Sequence, residues 1–377
     1  MKSVARLPSS QPSGNQRSSG STRRPGQAYK VSVLGAGAIG SMLGGLLKHH
    51  HPRSEVVLLA RGEHGRAMHD QGHVRLEGRW GTREVPVRVT SDVSALANSD
   101  YALLTVKSHD TEQAIAAAAP YLGDAVVISI QNGINDETLA RFVAPERLVM
   151  GMTATNMAIV RPGVVSMQLD GATVVGPSSN RLNVAATQQT LKLLRGTGLR
   201  IEQHENILGV RYNKLALNTV GYASCLSQSN FITEAVCYEP WRKSVGAPLV
   251  DEAIATFERA GVTLARIPGR PDIYGFRRFL SRLERPLFGP LVATAARLIY
   301  NRKPIIYSLY QDLLQGKKTE VEHINGQIVR LAAANGGDAP CNAAVVALCH
   351  ELEQRGAGQF WTRQQVIDRL APCSPVR

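Results

Sequence analysis

The sequence predicts two unlike domains in tandem: an α/β domain on a parallel, doubly wound sheet, then an all-helical domain. Three observations carry this. A short apolar run, "KVSVL", leads straight into "GAGAIG" and then into an apolar helical repeat. Strand-like and helix-like apolar runs then alternate as far as residue 200. Beyond about Glu202 the period becomes helical and stays so. At 377 residues the chain is long enough for two cores.

Residues 1–29 hold Lys2, Arg6, Arg17, Arg23 and Arg24, no acid, and much Ser, Pro and Gly. Such a stretch cannot bury a core, so a disordered basic tail is expected. A transit peptide shares this composition but would need an apolar helical face, which is missing here.

Residues 30–200 form the expected nucleotide domain. Val31, Val33 and Leu34 make a strand, and Met42, Leu43, Leu46 and Leu47 repeat with helical spacing. Between them lies the turn Gly35, Ala36, Gly37, Ala38, Ile39 and Gly40. Gly35 permits the tight bend, Gly37 leaves room for a pyrophosphate on backbone N–H groups, and Gly40 lets helix and strand close. A second strand, "EVVLL", ends at Ala60-Arg61, where an NAD-preferring fold would place an acid. The guanidinium of Arg61 suits a 2′-phosphate, so NADPH is the expected cofactor. "HVRLEGRWGTREVPVRVT" alternates as a hairpin; "DYALLTVKSHD", "AVVISIQNGIND" and "LVMGMTATNMAIV" are apolar strands. Lys107, Asn132 and Asn156 fall at or near their ends, where ligands gather in doubly wound sheets.

Residues 201–360 form the expected helical domain, followed by a tail at 361–377. "NKLALN" puts Lys214 and Asn218 four apart, on one helix face. Ser308 and Glu320 follow, with Gly316 between them breaking the helix and Glu320 opening the next one. A basic stretch at 266–303 carries Arg266, Arg270, Arg277, Arg278, Arg282, Arg285, Arg297, Arg302 and Lys303 against Asp272 and Glu284. Phe276, Phe279, Leu280 and Leu283 recur at helical spacing within it, so an amphipathic helix with a solvated basic face is expected.

These pieces resemble the ketopantoate reductase (2-dehydropantoate 2-reductase) family from about residue 30 to residue 355. The likeness is carried by "GAGAIG", "LLARGEH", "TVKSHDTEQAI", "QNGIN", "NKLALN" and "SLYQDLLQGKKTEVEHINGQIVRLA". It implies an N-terminal Rossmann domain and a C-terminal domain of the 6-phosphogluconate dehydrogenase type. It also implies hydride transfer from NADPH to a 2-keto acid, with 2-dehydropantoate reduced to pantoate in pantothenate biosynthesis. By the same resemblance Lys214 and Glu320 are catalytic, Asn218 and Ser308 bind substrate, and Lys107, Asn132 and Asn156 lie on the cofactor side. An ammonium beside the carbonyl oxygen stabilises its growing charge and supplies the proton; Glu320 is expected to hold Lys214 charged and oriented.

The chain departs from the family twice. Tyr222 and Ala223 stand where the family carries Asn-Pro, and the 266–303 stretch is inserted before Ser308. Both leave room for another 2-keto acid, and a non-catalytic NADP sensor is the rival from outside enzymology. The net charge of +13 raises nucleic acid as a partner, but much of it sits in the tail and the insertion, so neither nucleic acid nor membrane is expected. His49–His51 are adjacent and do not converge on one ion, so no metal is expected. His64, His109 and His204 read as surface or packing residues. Five scattered cysteines without a C-x-x-C pair fit a reducing cytoplasm. The sequence carries no direct signal for oligomeric state, and a homodimer is left open.

Overall fold

The computed structural model describes residues 28–300 and 307–373. The expected tail at 1–29 therefore lies almost wholly outside the described residues, as do Arg302 and Lys303.

The first domain runs β1 (Lys30–Leu34), α1 (Ala38–His50), β2 (Glu55–Leu59), α2 (Gly62–Gln71), β3 (His73–Gly78), β4 (Gly81–Pro86), β5 (Arg88–Thr90), β6 (Tyr101–Leu104), α3 (Thr111–Leu122), β7 (Val126–Ser129), α4 (Asp136–Ala140), β8 (Leu148–Thr153), β9 (Asn156–Arg161), β10 (Val164–Leu169), β11 (Thr173–Gly176), α5 (Val184–Arg195) and β12 (Ile201–Gln203). Eight strands form the main sheet in the order β12-β11-β8-β7-β6-β1-β2-β5. All neighbours in it are parallel except β8 and β11. β1 is central, and Val31 and Val33 are fully buried beneath helices. The chain winds one way from β1 to β2 and β5, and the other way through β6, β7 and β8. The reversal opens a crevice beyond Leu34 and Leu104, the place where doubly wound sheets bind ligands.

The predicted hairpin is present, with β3 and β4 paired from His73 opposite Pro86 to Gly78 opposite Gly81. It joins β10 and β9 in a separate four-stranded sheet, order β4-β3-β10-β9. That sheet lies against α1, where a Cβ on Gly45 would fall 2.9 Å from Val74 Cγ1. The domain boundary moves slightly from the expected 200/201: Ile201–Gln203 pair with β11, so the main sheet claims them.

The second domain contains α6 (Ile207–Cys225), α7 (Phe231–Cys237), α8 (Glu239–Trp241), α9 (Ala247–Arg259), α10 (Ile273–Arg282), α11 (Phe288–Tyr300), α12 (Ser308–Leu314), α13 (Val321–Ala334), α14 (Pro340–Arg355) and α15 (Arg363–Leu370). α6 runs through its centre, in one core with Trp241, Phe257, Ile324 and Ile328, which are fully buried. The basic stretch forms α10 and α11. α10 buries Ile273, Phe276 and Leu280 as its period predicts, and Arg277 on its flank pairs with Asp251 at 2.6 Å.

The expected tail from residue 361 needs correction. Trp361 is buried and donates to the Leu348 carbonyl at 3.1 Å, and Val366, Ile367 and Leu370 of α15 pack into the helical core. Thr362 and Gln365 close a capping box at its start. Among the described residues no helix is long and apolar enough to cross a membrane.

Candidate active site

The glycine turn occupies the crevice between β1 and β6. Gly35 has φ +95°, and a Cβ there would lie 2.5 Å from Val106 Cγ1 and 2.6 Å from its backbone nitrogen. Gly40 is equally confined, with Gly35 O and Thr105 Oγ1 each 2.5 Å from a Cβ. Thr105 Oγ1 also donates to the Gly35 carbonyl at 2.8 Å and fixes the bend. Gly37 differs: a Cβ there meets nothing within 4 Å, so the backbone at the start of α1 is open to the cavity. A dinucleotide pyrophosphate fits such a turn, because the helix's first N–H groups are unpaired and its positive end faces the space. Ala36, Ala38 and Ile39 complete the wall.

Arg61 is exposed, immediately precedes α2 and lines the same cavity, at the tip of β2 where the sequence predicts it. Glu63, two residues on, also lines it. His64 is tied in closely: Gly163 N–H donates to its Nδ1 at 3.0 Å, and its Nε2 lies 3.1 Å from Ser41 Oγ. Burial lowers its pKa to about 4, so the ring is neutral and locks the β9–β10 turn onto α2.

The polar groups of the cavity come from both domains. Lys214 and Asn218 lie on one face of α6, with Tyr222 one turn further. Lys214 Nζ donates to Asn132 Oδ1 at 2.8 Å. Asn132 Nδ2 lies 3.4 Å from Glu320 Oε2, and Ser108 N–H donates to Glu320 Oε1 at 2.9 Å. Ser108 Oγ in turn donates to the Asn132 carbonyl at 2.7 Å. Glu320 is buried at the start of α13, so these contacts carry its desolvation. Asn132 stands between Lys214 and Glu320, and the carboxylate is drawn to the Ser108 N–H, so Glu320 acts on the ammonium through its charge and through Asn132.

Burial lowers the Lys214 pKa to about 8, aided by the nearby Arg211 charge and opposed by Glu320. Arg211, itself buried, pairs with Asp136 at 2.7 Å and donates to the Gly133 carbonyl at 3.2 Å. It therefore clamps the loop that presents Asn132. Lys107 pairs with Asp312 of α12 rather than standing free. Burial raises the Asp312 carboxyl, and Lys107 works against that rise. The sequence offered no signal for Asp312, Ser108 or Arg211, whose partners lie far along the chain.

Asn156 opens β9 and lines the cavity, as do Asn218 and Ser308. Ser308 Oγ is 3.5 Å from the Tyr222 hydroxyl. Tyr222 is buried, and burial keeps its phenol protonated. Tyr222 thus contributes a hydroxyl beside Ser308. One cavity of about 1460 Å³ joins the glycine turn, Arg61, Lys214, Asn218, Ser308 and Glu320. Its volume exceeds the usual range of about 300–1,000 Å³ for one ligand, leaving space for cofactor and substrate together.

The family model described as Ketopantoate reductase PanE/ApbA matches residues 31–180. Ketopantoate reductase PanE/ApbA C terminal matches residues 206–353. The chain belongs to the ketopantoate reductase family. Ketopantoate reductases are NAD(P)-dependent oxidoreductases acting on a CH–OH group, and this chain is an enzyme of that class. It is 29% identical over 335 residues to 2-dehydropantoate 2-reductase of Pyrococcus horikoshii, covering 87% of this chain and 99% of that protein. A crystal structure of a PanE/ApbA family ketopantoate reductase from Ralstonia eutropha JMP134 matches with TM-score 0.70 and 28% identity, covering 86% of this chain and 99% of that one. The ternary structure of D-mandelate dehydrogenase with NADH and anilino(oxo)acetate shares the fold, with TM-score 0.71 and 21% identity over 86% of this chain and 99% of that one.

Proposed function

We propose that the chain reduces a 2-keto acid to the 2-hydroxy acid with NADPH, and that 2-dehydropantoate, the substrate named for its relatives, is the first compound to test. The observation that carries this reading is the Lys214 ammonium, hydrogen-bonded to Asn132 and lining the same cavity as the open backbone at Gly37. The open backbone at Gly37 would hold the pyrophosphate, with Gly35 and Gly40 letting the turn close around it, and Arg61 would take a 2′-phosphate in its guanidinium fork. A bound nicotinamide supplies the hydride. The chain's own groups do the rest.

Lys214 donates a hydrogen bond to the keto oxygen and passes it a proton as negative charge develops there. Asn132 and Glu320 keep the ammonium aimed. Asn218, Ser308 and the Tyr222 hydroxyl are uncharged partners for the substrate carboxylate and keto group. With its pKa lowered to about 8, Lys214 stays mostly protonated at pH 7 and gives the proton up more readily than a free lysine.

The choice of NADPH over NADH rests on Arg61, and the NADH in the D-mandelate dehydrogenase complex makes the comparison worth measuring. In this reading the enzyme works in the cytoplasm, where its cysteines stay reduced; nucleic acid and membrane play no part. Nicotinamide oxidation with 2-dehydropantoate, run with NADPH and NADH side by side, tests the proposal. Turnover favouring NADPH is expected; no oxidation of either cofactor with any 2-keto acid refutes it.

A further inference from the structure

The cavity does not end at Lys214 and Asn218. Beside Leu217 and Tyr307 it has an apolar part, the chamber, lined by Ile232 and Val236 of α7, Phe276 and Phe279 of α10, and Val292 and Ala296 of α11, all of one packed cluster. Two of its three walls come from the basic stretch at 266–303. Arg277 pairs with Asp251, while Phe276 and Phe279 of the same helix border the cavity. Arg270 stands near Tyr307 and is exposed, so the charge there lies at the rim.

Tyr222 shapes the passage. Its ring meets Tyr307 edge-on, with centroids 6.5 Å apart at 78°, and its hydroxyl points to Ser308. Tyr307 in turn packs on Gly221, where a Cβ would lie 2.5 Å from the ring. Polar groups thus collect around Ser308 and Lys214, and aromatic surface turns toward the chamber.

A compact, hydroxylated keto acid uses this space poorly. Its hydroxyl would lose water without finding a donor or acceptor among Ile232, Val236, Phe279 and Val292. An aryl or branched alkyl group would bury apolar surface there instead. We infer that the chamber formed by α7, α10 and α11 is the subsite for the substituent on the keto carbon. The substrate class is then 2-keto acids whose aromatic or branched aliphatic side chain carries no hydroxyl. This rests on the 2-keto acid reading above and narrows it.

The test is a panel assayed with NADPH: pyruvate, 2-dehydropantoate, 4-methyl-2-oxopentanoate and phenylpyruvate. kcat/KM should rise with apolar size, by about tenfold or more from pyruvate to the two bulky acids. Val292→Trp fills the chamber and should lower the ratio of kcat/KM for phenylpyruvate over 2-dehydropantoate by about tenfold. Ala295→Phe, on the same helix and also lining the cavity, repeats the test should Val292→Trp fail to fold, as judged by circular dichroism. A preference for 2-dehydropantoate over both bulky acids overturns the inference and leaves keto-acid reduction standing. A ratio unmoved in a folded blocking variant overturns it as well. No NADPH oxidation with any member of the panel removes the underlying reading too.

Discussion

Replacing Lys214 by Met removes the ammonium and keeps a similar apolar stem. Among the described residues that ammonium donates to Asn132 Oδ1, and Asn132 is also held by the Ser108 and Glu320 contacts. The loop should therefore survive, and folding should change little. Catalysis should not. Loss of a positioned general acid costs about 100- to 10,000-fold, or about 3–5 kcal/mol in the barrier. The wild type should also lose activity as pH rises through about 8, because the acid must be protonated and its pKa lies there. The residual activity of the variant should lack that descent. Steady-state rates followed by nicotinamide absorbance across pH, with cofactor binding measured separately by fluorescence, read all three quantities. Turnover within threefold of wild type, or an unchanged high-pH limb in the variant, refutes the assignment of Lys214.

Three further substitutions probe the rest of the site. Glu320→Gln removes the charge that holds the Lys214 pKa up, so the high-pH limb should move to lower pH; a limb that stays in place or rises contradicts the hold of the Glu320 charge on the ammonium. Arg61→Ala should cut the NADPH-to-NADH ratio of kcat/KM by about ten- to a hundredfold, the worth of a hydrogen bond to a charged group, and an unchanged ratio removes Arg61 from cofactor choice. Gly37→Ala and Gly40→Ala should separate binding from folding. The first enters open space and should raise the cofactor KM with little change in melting midpoint. The second meets Gly35 O and Thr105 Oγ1 and should cost about 1–3 kcal/mol, seen as a lowered melting midpoint.

Local chemistry made much of this legible. The glycine turn is readable because its three positions have different steric demands that only glycine meets together, and the strand and helix around it announce themselves by period. Lys214 and Asn218 are readable because four residues make one turn of helix. The pairing of Lys107 with Asp312 is not, since 205 positions separate them and nothing local marks either as a partner. Ser108 acts on Glu320 through its backbone N–H, which every residue except proline possesses. The hairpin at β3 and β4 was legible, but its transfer to a second sheet depends on β10, which pairs with β3 across more than eighty positions. The last helix escaped for a different reason. It is short, and its capping residues Thr362 and Gln365 look like ordinary polar tail until Trp361 is seen buried beside them.

The bridge through Asn132 also explains why the two domains must meet before the acid exists. Alone, the helical domain would present Lys214 to water, where an ammonium titrates near 10.4. Docking the sheet domain onto α6 buries the lysine and lowers its pKa to about 8, while Glu320 limits the fall. The same docking supplies Asn132, brings Arg211 to Asp136, and joins Lys107 to Asp312. Acid strength and acid position therefore share one origin, the interface between the domains. A substitution at the Arg211–Asp136 pair, away from the reacting atoms, should disturb both together: Asp136→Ala leaves a buried guanidinium unpaired near Lys214, so its positive charge weighs more heavily on the ammonium. The high-pH limb should move down and kcat should fall, with the melting midpoint lowered. A variant that loses stability but keeps the limb in place would separate the interface from the tuning of the acid.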